Sequence, residues 1–131
     1  MVCKTTRGYV GWLLPAAERN RLLDLFPPLF ETVVAHHCTL EFGVLSTTAL
    51  PTDHTAQVIG ESVDRSGVQA LVLEIGGTQQ RPTGGIFHIT WSLANGRKPV
   101  QSNHVIRQQG WICCNPVTIA LEPQFFSLKN G

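Results

Sequence analysis

The sequence predicts an α+β domain, and three observations carry that prediction. A chain of 131 residues with 43% hydrophobic and 15% charged residues has the size and composition of one folded domain. Its 12 Gly and 8 Pro are too many helix breakers for a coiled coil. The strand-like runs lie close together in sequence and are joined by turns, which favours antiparallel sheet with helices packed against it. No linker or low-complexity segment divides the chain, so residues 1–131 read as a single domain.

The elements follow in order. Gly8–Leu14 (GYVGWLL) reads as a short strand. Pro15 opens a helical pattern, since Pro is tolerated in a first turn. Leu22, Leu23 and Phe26 share one side of Ala16–Phe26, and Pro27-Pro28 ends it. Val33–Val44 is a second apolar stretch containing His36 and His37, and Thr47–Thr55 is a polar loop. Gln57–Val63 and Val68–Ile75 read as two strands around the hairpin turn Asp64–Gly67. Gly76–Gly85 is a loop, Ile86–Leu93 a strand and Ala94-Asn95-Gly96 a turn. Ser102 is expected to cap a short helix through Gln108. Val117–Leu121 is expected to be the last strand, bounded by Pro116 and Pro123.

Charge and composition exclude several functions. A net charge of +1 is too small for a protein that grips many phosphates of a long duplex. A small anionic ligand or a short RNA end remains open. No apolar run approaches the roughly 20 residues of a membrane span. The segment Met1–Gly11 holds no apolar block of signal-peptide length, so secretion is not expected. Cys3, Cys38, Cys113 and Cys114 form no C-x-x-C pair and suit a thiol state, read as small buried hydrophobes. No Cys/His spacing suggests zinc, and no metal is expected.

Two strands share a pattern. His37-Cys38-Thr39-Leu40 and His88-Ile89-Thr90-Trp91 each set a His and a Thr two residues apart. Strand side chains alternate between faces, so His and Thr at i and i+2 point the same way. In the second strand Phe87, Ile89, Trp91 and Leu93 suit a core, while His88, Thr90 and Ser92 share the other face. In the first, Cys38, Leu40 and Phe42 are expected on the core face with His36, and His37, Thr39 and Glu41 opposite. Two histidines of near-neutral pKa can act as general base and general acid, each contributing about 10²–10⁴-fold in rate. Two threonine hydroxyls can donate to the non-bridging oxygens of a phosphate. A single His-x-Thr arises often by chance, because Thr is a good strand former; two copies on apolar strands carry more weight.

The segments Ala35–Gly43 (AHHCTLEFG) and Gly85–Leu93 (GIFHITWSL), with the opening strand and the helix that follows it, resemble the 2H phosphoesterase superfamily. That superfamily is named for two His-x-Thr/Ser motifs in hydrophobic strands. The resemblance implies a bilobal, pseudo-twofold α+β fold, with antiparallel sheets flanked by helices and one motif from each lobe in a central cleft. It implies a metal-independent phosphodiesterase without a cofactor. Family members hydrolyse 2′,3′-cyclic or 2′-5′/3′-5′ phosphodiesters of RNA ends, small cyclic phosphates or cyclic oligonucleotides. Some phage-borne members destroy cyclic nucleotide immune signals. His37 and His88 match the catalytic histidines, and Thr39 and Thr90 the phosphate-binding hydroxyls. The implied location is the cytoplasm, that of the host if the chain is viral. The histidines are 51 positions apart, which is short for the family, so substrate-recognition loops of larger members are expected to be trimmed here.

The modest charge favours small cyclic or short oligonucleotides as substrates over extended RNA. Opening of 2′,3′-cyclic phosphate ends and nucleotide binding without turnover are the alternatives. Tyr9, Trp12 and Trp111 are candidates for stacking a nucleobase, with Tyr9 and Trp12 expected on opposite faces. Lys98, and Arg97 beside it, are candidates for reaching a phosphate. His36, His54 and His104 read as packed or solvated, and Trp91 as core.

Overall fold

In a computed structural model, which describes residues 6–128, the chain forms eight strands and two helices. Strand β1 (Arg7–Leu13) runs into Pro15, whose extended backbone starts helix α1 (Ala16–Leu25). The helix stops at Phe26, ahead of Pro27-Pro28. The apolar stretch after it divides into β2 (Thr32–Val33) and β3 (His37–Leu45). Between them Ala35 takes a left-handed φ of 45°. Then come β4 (Thr55–Asp64), β5 (Val68–Glu74), β6 (His88–Leu93), α2 (Gln101–Gln109), β7 (Ile112–Ala120) and β8 (Glu122–Ser127).

The strands make one antiparallel sheet in the order β7-β4-β5-β6-β3-β1-β8, with β2 also paired to β6. The sheet curls around α1. That helix leaves β1 near one end of the order, yet it reaches β7 at the other. Arg21 donates to the Thr118 carbonyl at 2.9 Å, and the Ala120 N–H donates to Glu18 at 2.7 Å. These contacts occupy backbone groups along the outermost strand, where an open edge would invite pairing with another chain.

Inside the curl, Leu22 of α1 meets Trp12, Leu71, Leu73, Ile89, Trp91 and Ile119 in the main core. On the opposite face α2 sets Val105 against Val68 and Leu93, and Ile106 against Ala70 and Val72. Strand β5 is therefore covered on both sides, which explains its nearly unbroken apolar run. Gln69 is the polar exception. It is fully buried, donates to the Pro27 carbonyl and to Glu61, and accepts from the Leu29 N–H and from Ser92. It ties the segment after α1 to the sheet.

Two expectations fail at the C-terminal end. The last strand is not Val117–Leu121: β7 starts at Ile112 and a further strand, β8, follows it. Pro116 and Pro123 lie inside strands. Both strands are outermost, so one side of each makes no ladder there. Pro116 also sits where the β4–β7 register shifts, between Val58↔Val117 and Gly60↔Cys113. Both settings tolerate a missing N–H. The reading of the cysteines as buried holds for Cys38 but not for Cys113, which is exposed on β7, while Cys114 is half-buried. Cys3 lies outside the described residues. No helix among the described residues is long and apolar enough to cross a membrane.

Candidate active site

The two His-x-Thr strands are neighbours. β3 and β6 run antiparallel, with Cys38 opposite Ile89. One step either way along that register sets His37 across from Thr90, and Thr39 across from His88. Cys38, Ile89 and Trp91 are fully buried in the main core. Their neighbours His37, Thr39, His88 and Thr90 turn the other way, and all four line one cavity of about 450 Å³. His37 and His88 are diagonal neighbours across the strand pair, a relation that separates backbones by about 7–8 Å.

Each histidine is fixed differently. His88 Nδ1 lies 2.8 Å from the Ile86 carbonyl, a pure acceptor. Nδ1 therefore carries a proton, and Nε2 is the nitrogen that titrates. Burial lowers the His88 pKa; the Ile86 hydrogen bond opposes that shift, and the Arg81 charge adds to it. His37 Nδ1 lies 3.0 Å from His36 Nδ1, a contact that works only when one of the two atoms carries a hydrogen. Burial, then the neighbouring His36 and His88, push the His37 pKa down to about 4. Both shifts favour the neutral ring.

The hydroxyls also differ. Thr39 makes no side-chain hydrogen bond among the described residues. Thr90 Oγ1 lies 2.8 Å from Ser102 Oγ and 3.3 Å from the Pro99 carbonyl. Ser102 is not the helix cap it was expected to be. The capping position falls to Val100, without a side-chain cap, and Ser102 sits fully buried in the first turn of α2. With Ser102 donating to Thr90, the Thr90 proton goes to the Pro99 carbonyl over a long 3.3 Å bond, which a stronger acceptor in the cavity can displace.

The rest of the wall comes from Tyr9, Phe42, Arg81, Pro99, Val100 and Asn103. Tyr9 packs on His37 with centroids 5.2 Å apart and stacks on Phe42 at 5.8 Å and on Phe126 at 4.8 Å. Phe42 was expected in the core. It is instead 65% exposed and on the cavity side. The cause is a bulge: Val10 pairs with Glu41 but Gly11 with Thr39, so Leu40 is an extra residue that resets the alternation. Gly11 permits that pairing, because a Cβ there would collide with the Cys38 carbonyl.

Arg81 is the cationic member of the site. The loop holding it folds back on itself: the Arg81 N–H donates to the Gly85 carbonyl, and Arg81 Nε to the Gly84 carbonyl at 3.0 Å. An Arg81 terminal nitrogen donates to Asn103 at 3.3 Å. Gly85 has a φ of 85°, a left-handed backbone that favours glycine, and a Cβ there would come within 2.6 Å of the guanidinium and push it aside. Among the described residues Arg81 pairs with no carboxylate. An isolated Arg in a polar loop carries no sequence signal, although the Gly84-Gly85 pair marks the tight turn that folds over it.

Other sequence candidates fall elsewhere. Trp12 is 1% exposed, and its Nε1 donates to the Asp53 carbonyl at 2.8 Å, so no base can stack on it. Trp111 is half-buried beside Ala70, Val72 and Ile106, away from the wall of this cavity. Lys98 is exposed and is not part of that cavity's wall. Arg97 is occupied by Asp64, Ser66 and Gln101. Trp91 is core, with its indole N–H donating to the Phe26 carbonyl. His54 and His104 are exposed. Burial pushes the Cys38 thiol up to about 12, leaving it inert behind the site. Among the described residues no three His, Cys, Asp or Glu side chains gather as a metal would need.

No protein-family model, curated protein or solved structure matches the chain.

Proposed function

We propose that the chain is a phosphodiesterase of the 2H type, with a bilobal fold of pseudo-twofold character meeting at the β3–β6 seam. It hydrolyses phosphodiester bonds of small cyclic or short oligonucleotides by histidine acid/base catalysis without a metal. One observation carries the reading: two imidazoles and two threonine hydroxyls, from segments 51 positions apart, line a single cavity together with a guanidinium.

Each group then has a role. His88, with its proton fixed on Nδ1 and Nε2 bare, is the general base. It removes a proton from water, or from a neighbouring ribose hydroxyl, as that oxygen bonds to phosphorus. His37 is the general acid and protonates the leaving oxygen as its P–O bond breaks. Turnover resets when His88 Nε2 releases its proton to solvent and His37 Nε2 regains one; exposed His36, in contact with His37 Nδ1, orients that ring so that Nε2 faces the cavity. In-line displacement needs base and acid on opposite sides of phosphorus, which the diagonal placement allows. Thr39, Thr90 and Arg81 donate to the non-bridging oxygens, where charge grows in the transition state. Tyr9 and Phe42 offer an aromatic wall for a base.

An anion between the rings favours a proton on one of them and reverses the depression of the empty site. The free protein, with both pKa values below 6.5, therefore reaches its highest kcat/KM on the acid side of that value. The test is a chromatographic screen with EDTA present, setting short cyclic oligonucleotides against RNAs ending in a 2′,3′-cyclic phosphate. Products from the cyclic oligonucleotides, formed despite the chelator, support the reading. Activity that vanishes in EDTA and returns with a divalent ion overturns the mechanism. Tight binding without product makes the chain a binding module.

A further inference from the structure

We infer that a second cavity beside the active site holds a second phosphate of the same ligand, so that the preferred ligand carries two phosphate groups one nucleoside apart. This rests on the phosphodiesterase reading of the first cavity. The second cavity also measures about 450 Å³ and is lined by Gly84, Gly85, Ile86, Ile106 and Arg107, together with Arg81, His88 and Asn103. The last three line the first cavity as well. The two spaces therefore meet at His88 and Arg81, and a ligand leaving the first passes those side chains to enter the second. Each space falls within the range of small-ligand sites.

The chemistry of the second space is that of an anion site. Two guanidiniums, Arg81 and Arg107, face it, and neither pairs with a carboxylate among the described residues. The chain as a whole has a net charge of only +1, so two uncompensated arginines around one cavity are a local concentration of charge. Arginine presents a planar fork that matches phosphate oxygens two at a time. The Arg81 fork is already positioned, through its bonds to Gly84 and Asn103. Asn103 itself is committed, accepting from Arg81 and donating to the Val100 carbonyl at 3.3 Å. Ile86 and Ile106 add an apolar floor suited to the carbon face of a sugar. A ligand with a single phosphate, seated between His37 and His88, leaves Arg107 unused.

The experiment measures calorimetric affinities of a nucleoside 3′-monophosphate and the matching 3′,5′-bisphosphate for the wild-type chain, Arg107→Gln and Gly85→Ala. Chemical shifts of the His37 and His88 rings are followed in parallel. The bisphosphate is expected to bind about tenfold tighter or more, the worth of one charge-assisted hydrogen bond. Arg107→Gln is expected to erase that margin and leave the monophosphate unchanged. Gly85→Ala, which displaces the Arg81 guanidinium, is expected to weaken both ligands. Equal affinities in the wild type, or a margin that survives Arg107→Gln, overturn the second subsite while the first stands, provided the monophosphate shifts the two rings. If neither ligand binds or moves those rings, both readings fall.

Discussion

Acid should destabilise this protein through His37, and the size of the effect follows from the structure. Burial, with His36 and His88 beside it, holds the ring at about 4 in the fold against an ordinary value of 6.5. Above pH 6.5 the ring is neutral whether the chain is folded or not, and it adds no pH dependence. Between 6.5 and about 4 the unfolded chain binds a proton that the fold refuses, so stability falls as pH falls. Below about 4 both states are protonated and the loss levels off. The span from 6.5 to 4 sets a ceiling of about 3 kcal/mol. His37 is only half-buried and faces an open cavity, so solvent screening cuts this to about 1–2 kcal/mol. The assay is urea unfolding at pH 7.5 and pH 4.5 for wild type and His37→Gln. The wild type should lose about 1–2 kcal/mol more than the variant between the two conditions. Inorganic phosphate at the lower pH should restore part of the loss, because a bound anion favours the protonated ring. Equal losses in the two proteins would refute the argument, since the ring would then titrate alike in both states.

His37→Ala and His88→Ala should each lower turnover by about 10²-fold or more while far-UV circular dichroism stays that of the wild type; near-normal turnover in either marks that histidine as structural. Thr90→Ala should cost stability as well as activity, by about 1–3 kcal/mol in urea unfolding, because it leaves the buried Ser102 hydroxyl without its partner. Thr90→Ser should recover the stability, and if it does not, the hydroxyl pair is not what was lost. Gln69→Leu should cost about 2–4 kcal/mol by the same measurement, because it strands Glu61 and Ser92 in a buried network; a neutral result would mean water fills the place of the amide.

Much of the site was legible because strand alternation is a local rule. His88 and Thr90 against Ile89 and Trp91, and His37 and Thr39 against Cys38, were assigned to their faces from parity alone. The rule failed one turn of pleat later at Phe42, and in β6 at Ser92 and Leu93: Gln69 pairs with Ser92 but Ala70 with Thr90, so Trp91 is an extra residue, Ser92 turns to Gln69 and Leu93 to α2. At Phe42 the cause is the bulge at Leu40. A bulge is set by what the partner strand allows, here the bare backbone of Gly11, and nothing within β3 announces it. Ser102 was misread for a related reason. A Ser ahead of a polar helical run is the local signature of a cap, but the cap falls two residues earlier, at Val100, and the first turn points that hydroxyl inward to Thr90. Arg81 lies in a loop with no periodicity, and only the tertiary fold carries it to the cavity. Pro116 and Pro123 pointed to strand ends, yet their strands lie at the ends of the sheet order, a property of topology and not of the residues. Local periodicity thus placed His37, Thr39, His88 and Thr90 on one face, while Phe42 and Arg81 reach the same cavity only through long-range pairing.

The seam between β3 and β6 explains why a cavity exists in the middle of a sheet. β6 first pairs with β2, Val33 opposite Ser92, and then with β3, Cys38 opposite Ile89. Five residues on one side therefore span three on the other, and the two extra residues are absorbed around Ala35 and His36. Ala35 is fully buried with a left-handed φ of 45°, a conformation that costs an L-residue about 1–2 kcal/mol. It is held there from both sides, its N–H donating to the Thr90 carbonyl at 3.0 Å and its carbonyl accepting from Arg19 at 3.0 Å. Residues directly opposite in a pair share a face, so Cys38 across from buried Ile89 leaves His37 on the face of His88 and Thr90; a slip of one residue at this pair would have turned His37 into the core. Ladder pairing between β3 and β6 is limited to one residue pair, so the strands can part beyond it and leave room for a ligand between imidazoles that a full ladder would have crowded with neighbours. The strain at Ala35 therefore sits at the point that sets the register of the motif strands.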